Sequence, residues 1–247
     1  MTALLVTGGS GAIGGALCRA AAASRPVWIG FDRNAAQAAA LAEAIAAGGG
    51  RARTIHLPLH DPATLQASLA GIPVAEAPSA LALCGWPAPL VAPLSRQAED
   101  MDRQSAALAG CLALLSAVWR MWWRKAGGGH ALAVLTAALG PPAAPHMAAY
   151  VAQKGALKSL LDAAAVELGP AGLRISTVSP GYVETPMLAA FDPRLLDRAR
   201  TAAGGAFLSP DRVAQTLLGA LQAPPAAGRV QDLSLSDEVE CDETNPA

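Results

Sequence analysis

The chain has 247 residues, of which 53% are hydrophobic and 15% charged, with a formal net charge of −1. So small a charge argues against electrostatic capture of nucleic acid or an anionic membrane, and 4% aromatic residues offer little for stacking bases. It also leaves apolar surface that other subunits are expected to cover.

The chain opens on a strand, Ala3–Thr7, with no basic segment or apolar stretch of a secretion signal before it. No run of about 18 uninterrupted apolar residues follows, so a cytoplasmic chain without a membrane span is expected. Thr7-Gly8-Gly9-Ser10-Gly11-Ala12-Ile13-Gly14 then leads into a helix over Ile13–Ala23. Glycines allow a tight turn and close approach to a pyrophosphate, and the helix N-terminus offers N–H groups and a positive dipole end. This predicts a dinucleotide turn with Thr7, Gly8, Ser10, Gly11, Ala12, Ile13 and Gly14 at the cofactor. A second strand, Val27–Phe31, ends at Asp32. A carboxylate there accepts from a ribose 2′-hydroxyl and repels a 2′-phosphate, which favours NAD over NADP. Arg33 beside it pulls the other way.

A helix over Ala35–Ala47, a strand over Arg53–Leu57 and a helix over Pro62–Ala70 come next. His56 and His60 are four apart, but Pro58 between them makes a strand end and loop, not a metal site. Strands follow at Ala80–Cys84, Ala131–Leu135, Leu173–Val178 and Val230–Leu235. Helices are expected over Glu99–Lys125, Ala148–Leu168 and Pro210–Gln222. Strict alternation of strand and helix predicts an α/β fold: a doubly wound, Rossmann-type parallel sheet of about seven strands with helices on both faces. One domain over 1–235 is expected, with a lid over about 187–209 and an acidic tail over 236–247. Cys18, Cys84 and Cys111 lie in apolar runs and are read as buried reduced thiols.

Tyr150 and Lys154 are four apart on a predicted helix and so share one face. A cation near a phenol favours the phenolate, which would bring Tyr150 toward a usable acid/base range.

With these motifs in place, the sequence resembles the short-chain dehydrogenase/reductase family. The resemblance rests on the Thr7–Gly14 turn, Asp32, Asp61, Tyr150 with Lys154, and Ser179-Pro180-Gly181-Tyr182-Val183-Glu184-Thr185-Pro186. It implies hydride transfer between NAD(P) and a carbinol or carbonyl carbon. Tyr150 would exchange a proton with the substrate oxygen, and Lys154 would bond the nicotinamide ribose. It also implies that Asp61, Pro180, Gly181, Val183 and Thr185 lie along the cofactor, with Thr185 on the carboxamide.

The resemblance fails at several positions. The family's catalytic serine aligns with Ala137; Thr136 beside it has a hydroxyl, and although neighbouring strand residues point to opposite faces, a bulge or a shifted strand end would let Thr136 substitute for the serine. Of the family's Asn-Asn-Ala-Gly, only the glycine of Ala82-Leu83-Cys84-Gly85 remains. A helix asparagine aligns near Ala107 or Leu108, and an adenine-side acid aligns with Pro58. These losses lead to the expectation of a degenerate subunit, inactive or weakly active, with a structural role in a homo-oligomer or in a heteromer with an active paralogue. One alternative is an active NAD-dependent oxidoreductase on an alcohol, ketone or hydroxyacyl(-CoA) substrate. Another is a dinucleotide sensor or scaffold without turnover. Trp119, Trp122 and Trp123 suit either core packing or an oligomer interface. Arg194, Arg198 and Arg200 suit either an acyl-CoA phosphate or the wet face of a lid helix.

Overall fold

Strand β1 (Ala3–Thr7) is buried along its whole length, and its side chains feed two separate cores, Leu5 one and Leu4 with Val6 the other. A strand covered on both faces needs helices on both sides and parallel neighbours reached by crossovers. The chain supplies them in order: α1 (Ala12–Ala22), β2 (Val27–Phe31), α2 (Ala35–Ala47), β3 (Ala52–His56), α3 (Pro62–Ala70) and β4 (Pro78–Leu83). Next come α4 (Ala98–Val118), a π-helical turn (Trp119–Trp123), a last turn α5 (Arg124–Ala126), β5 (Gly129–Val134) and α6 (Ala148–Leu168). The series ends with β6 (Leu173–Pro180), α7 (Pro193–Ala202), α8 (Pro210–Gln222) and β7 (Val230–Leu235). This computed structural model describes residues 3–141 and 144–235; the tail expected over 236–247 lies outside them.

The strands form one parallel seven-stranded sheet of order β3-β2-β1-β4-β5-β6-β7, the doubly wound fold expected from the sequence. Helices α1, α2 and α8 close one face through residues such as Leu17, Ile45 and Leu217. Helices α3, α4 and α6 close the other through Leu65, Leu114 and Leu161. Strands β4 and β5 each begin two residues earlier than expected, at Pro78 and Gly129, and β6 runs on to Pro180.

The helix expected as one run over Glu99–Lys125 is interrupted by the π turn. Trp119, Trp122 and Trp123 around it are buried in this chain's own core, so the interface role considered for them is corrected. Trp123 is 1% exposed and donates from Nε1 to the Pro78 carbonyl at 2.7 Å. The 98–126 run is long and apolar enough to cross a membrane by length and composition, and 50% of that apolar window is buried against the sheet.

Chain order reverses between β1 and β4, so crossovers leave in opposite directions and open a crevice above these two strand ends. That crevice positions the site. Trp123→Ala, which empties the largest core position, is expected to cost about 3–5 kcal/mol in a urea melt. Val166→Ala on the exposed face of α6 should stay within about 0.5 kcal/mol of the parent. Equal midpoints for the two variants would contradict this packing.

Candidate dinucleotide and proton-transfer site

At the end of β1 the chain turns through Gly8, whose φ of +60° suits glycine. A Cβ there would lie 2.6 Å from the Cα of Gly85, on the loop that leaves β4. Thr7 holds the two loops together: its buried Oγ1 accepts the Gly85 N–H at 3.0 Å and donates to the Ala82 carbonyl at 3.4 Å. Thr7 therefore acts through the backbone around the turn. Gly14 is equally constrained, because a Cβ there would run into the Gly8 carbonyl.

Helix α1 starts at Ala12 with Gly11 as N-cap and no side-chain cap, leaving its first N–H groups directed at the crevice. Ser10, Gly11 and Ala12 line a depression of about 220 Å³ with Arg19 and Gln37. Ile13 faces the α1–α8 core. Arg19 was not singled out in the sequence; its four-residue spacing from Gly15 is the signal that places it over this groove.

Asp32 stands at the mouth, 3.8 Å from both Arg33 Nε and His60 Nδ1. Asp61 is turned to its own helix. One oxygen accepts the Ala63 and Thr64 N–H groups at 3.1 Å and the other accepts the Thr64 hydroxyl at 2.6 Å. The Thr64 hydroxyl bond, above all, holds this carboxyl below its usual range.

Tyr150 and Lys154 lie on the buried side of α6, 8% and 3% exposed. Burial pushes the Tyr150 phenol up to about 12, against a smaller downward pull from a hydrogen bond with Thr136. Two expectations are corrected here. Lys154 does not bring the phenol down, because its Nζ donates to the Val134 carbonyl at 2.7 Å and lies 5.9 Å from the Tyr150 ring centre. Thr136 does not point away, because β5 has ended at Val134 and strand alternation no longer applies. Thr136 instead caps the 3-10 turn at Ala137–Leu139, its Oγ1 accepting the Ala138 N–H at 3.2 Å. The hydroxyl proton is then available to the phenol oxygen.

After β6, Gly181 donates to the Leu235 carbonyl at 3.0 Å, and Val183 is buried and bridges to Leu208. Thr185 precedes a short 3-10 turn and makes no cap bond with its side chain. Tyr182 stacks on Phe207 at 5.0 Å and meets Phe191 edge-on at 5.7 Å, forming an aromatic wall under α7. Arg200 pairs with Glu184 at 2.9 Å and lies over Phe207, while Arg194 and Arg198 face solvent.

Sequence reasoning also passed over Trp86. Its ring lies 4.2 Å from the Lys154 Nζ, and its Nε1–H donates to the buried Gln104 at 2.7 Å. A tryptophan directly after Gly85 in a chain with five tryptophans was the available signal.

Residues 9–222 match the family profile described as enoyl-(acyl carrier protein) reductase. The chain belongs to the short-chain dehydrogenase/reductase family. A cyclopentanol dehydrogenase of Comamonas is 37% identical over 95 residues, and a cyclohexanol dehydrogenase of Acinetobacter 33% identical over 92. Those stretches cover 38% and 37% of this chain and only 34% and 36% of the two relatives. A short-chain dehydrogenase of Burkholderia cenocepacia in complex with NADP superposes with a TM-score of 0.82 at 24% identity, covering 96% of this chain and 97% of that one.

Against the family pattern, Ala137 begins the 3-10 turn with no hydroxyl, and Thr136 brings one to the phenol from the preceding position. Lys154 is the costliest group in this dehydrogenase-type site. Burial pulls its ammonium down to about 8, opposed by the Cys111 and Cys84 thiols. With an unfolded value of 10.5, the full penalty is present below pH 8 and fades as pH rises to 10.5. Lys154→Met should therefore stabilise the fold at pH 7, by up to about 3 kcal/mol. Urea melts should show that gain shrinking toward zero near pH 10.5; an equal gain at both pH values would contradict the assigned burial cost.

Proposed function

We propose that the chain is a nicotinamide-dinucleotide oxidoreductase acting on a small apolar alcohol and its ketone through Tyr150, Thr136 and Lys154. The observation that carries this reading is the placement of Thr136 beside Tyr150, where its hydroxyl pulls the phenol down against the larger upward push of burial. It supplies the polarising hydroxyl that Ala137 lacks. The backbone fits the cofactor: Gly8 and Gly14 keep the turn tight, since a Cβ at either would strike this chain's own backbone, and the first N–H groups of α1 beyond it have no side-chain cap. Gly8, Gly11 and Ala12 would hold the pyrophosphate, Asp32 the adenosine ribose, Lys154 the second ribose, and Thr185 the carboxamide. When bound, the cofactor supplies or accepts the hydride.

The chain's own residues handle the proton. A phenol at about 12 is protonated at neutral pH, so Tyr150 is set as a donor to a ketone oxygen. Thr136, with its proton turned to the phenol oxygen, stabilises the phenolate that this transfer leaves. The Tyr182–Phe191–Phe207 wall and the partial likeness to two alicyclic alcohol dehydrogenases support an apolar, ring-sized substrate. Arg200, already paired with Glu184, lends no support to an acyl-CoA phosphate. Asp32 favours NAD over NADP.

A second reading is a weakly active or structural subunit. It is favoured by the apolar positions Ala137, Ala107 and Leu108 and by the exposed Leu112 on α4, which would suit pairing with another copy or an active paralogue.

NADH oxidation with cyclohexanone as probe separates the two. Tyr150→Phe should abolish turnover, and Thr136→Val should lower kcat roughly 100- to 1000-fold. Unchanged turnover in Thr136→Val removes Thr136 from the mechanism, and none in the parent favours the structural reading.

A further inference from the structure

Lys154 is the group whose surroundings the family reading leaves least explained. Its ammonium is almost wholly buried, yet one acceptor, the Val134 carbonyl, is its only hydrogen-bond partner among the described residues. The thiols of Cys84, just after β4 and half-buried where a fully buried thiol was expected, and of Cys111 on α4 lie near it, and Tyr150 lies on its own helix. The remaining side is closed by Trp86, whose ring is 4.2 Å away. A buried cation is stabilised by the negative face of an indole, so this contact stands in for missing oxygen acceptors.

Trp86 is held at its rim. Its Nε1–H donates to Gln104 at 2.7 Å, and Gln104 in turn donates to the Asp100 carboxylate at 3.0 Å and the Ala88 carbonyl at 3.3 Å. Asp100 also accepts the Leu90 N–H at 2.9 Å, which ties the loop after β4 to α4. That bracing does not depend on the indole. If Trp86 swings out, its one hydrogen bond and its packing against the core on that side of the sheet are lost, while Gln104 and Asp100 keep their other partners.

We propose that Trp86 is a displaceable cover on Lys154, occupying the side of the ammonium that the ribose hydroxyls of a nicotinamide nucleotide take on binding. This rests on the dinucleotide reading of the crevice. The cover keeps the ammonium dry while the site is empty, and binding exchanges an aromatic face for hydroxyl oxygens. Trp86 thereby lowers affinity for any ligand that needs Lys154 and has no effect on one that fills only the adenosine end. In this account Trp86 is a positioning residue: it acts through Lys154 and touches no reacting atom.

Two measurements on the full chain test it. The first needs no nucleotide: acetic anhydride labelling read by mass spectrometry, with the exposed Lys125 as internal reference. Trp86→Ala should raise the relative labelling rate of Lys154 about tenfold, and Trp86→Phe, which keeps a ring but loses the Gln104 bond, should fall between. An unchanged Lys154 rate overturns the cover. The second is calorimetry with NADH and ADP. Trp86→Ala should bind NADH about tenfold more tightly than the parent, with ADP affinity unchanged. Equal or weaker NADH binding by Trp86→Ala overturns the cover alone. If neither protein binds NADH or ADP, the dinucleotide reading fails and the cover fails with it.

Discussion

The close approach of Gly8 to Gly85, tied by the Thr7 hydroxyl, is the constraint on which the rest of the site depends. Two loops from adjacent parallel strands meet backbone to backbone at the point where the sheet reverses its winding. No side chain larger than hydrogen fits either position. The same contact delivers Trp86, the next residue after Gly85, to the edge of α6. It therefore sets both the groove in front of α1 and the lining of the proton-transfer end.

Burial dominates the chemistry of that end. The environment holds the Tyr150 phenol neutral and makes the Lys154 charge expensive, each by an amount on the order of 3 kcal/mol. Both shifts run against the usual picture of a lysine lowering a tyrosine's pKa. That picture needs the ammonium turned to the phenol, whereas here it is turned to a strand carbonyl and an indole face. Hydroxyl oxygens from a bound ribose would give Lys154 acceptors and lessen the penalty. An occupied site would therefore differ from the empty one in its electrostatics.

The Thr136 result shows why alternation rules must be applied with element ends in hand. Leu135 still bonds to β6 through its N–H to the Val178 carbonyl, but the next residue already caps a 3-10 turn. Once the chain leaves the pleat, side-chain direction is set by the turn, and Thr136 reaches Tyr150 from a position that a continued strand would have turned outward. The three indoles of the π turn show the opposite case. Their spacing identifies a shared face, and only packing decides that this face meets the sheet of the same chain.

The sequence by itself determined the doubly wound sheet, the glycine turn and the pairing of Tyr150 with Lys154 on one helix face. Each rests on local periodicity or on backbone freedom carried by single residues. Asp61 entered only through the family resemblance, as a residue along the cofactor, and its use as a helix cap follows from which N–H groups lie within reach. Arg19 and Trp86 carried a local signal in their positions beside glycines, but the roles of Trp86 and Gln104 depend on segments far apart in the chain being folded against one another. The tertiary structure alone decided which way the Lys154 ammonium turns and that Thr136 meets Tyr150. Hydrogen-bond direction and desolvation depend on neighbours in space, and one-dimensional spacing carries no record of them.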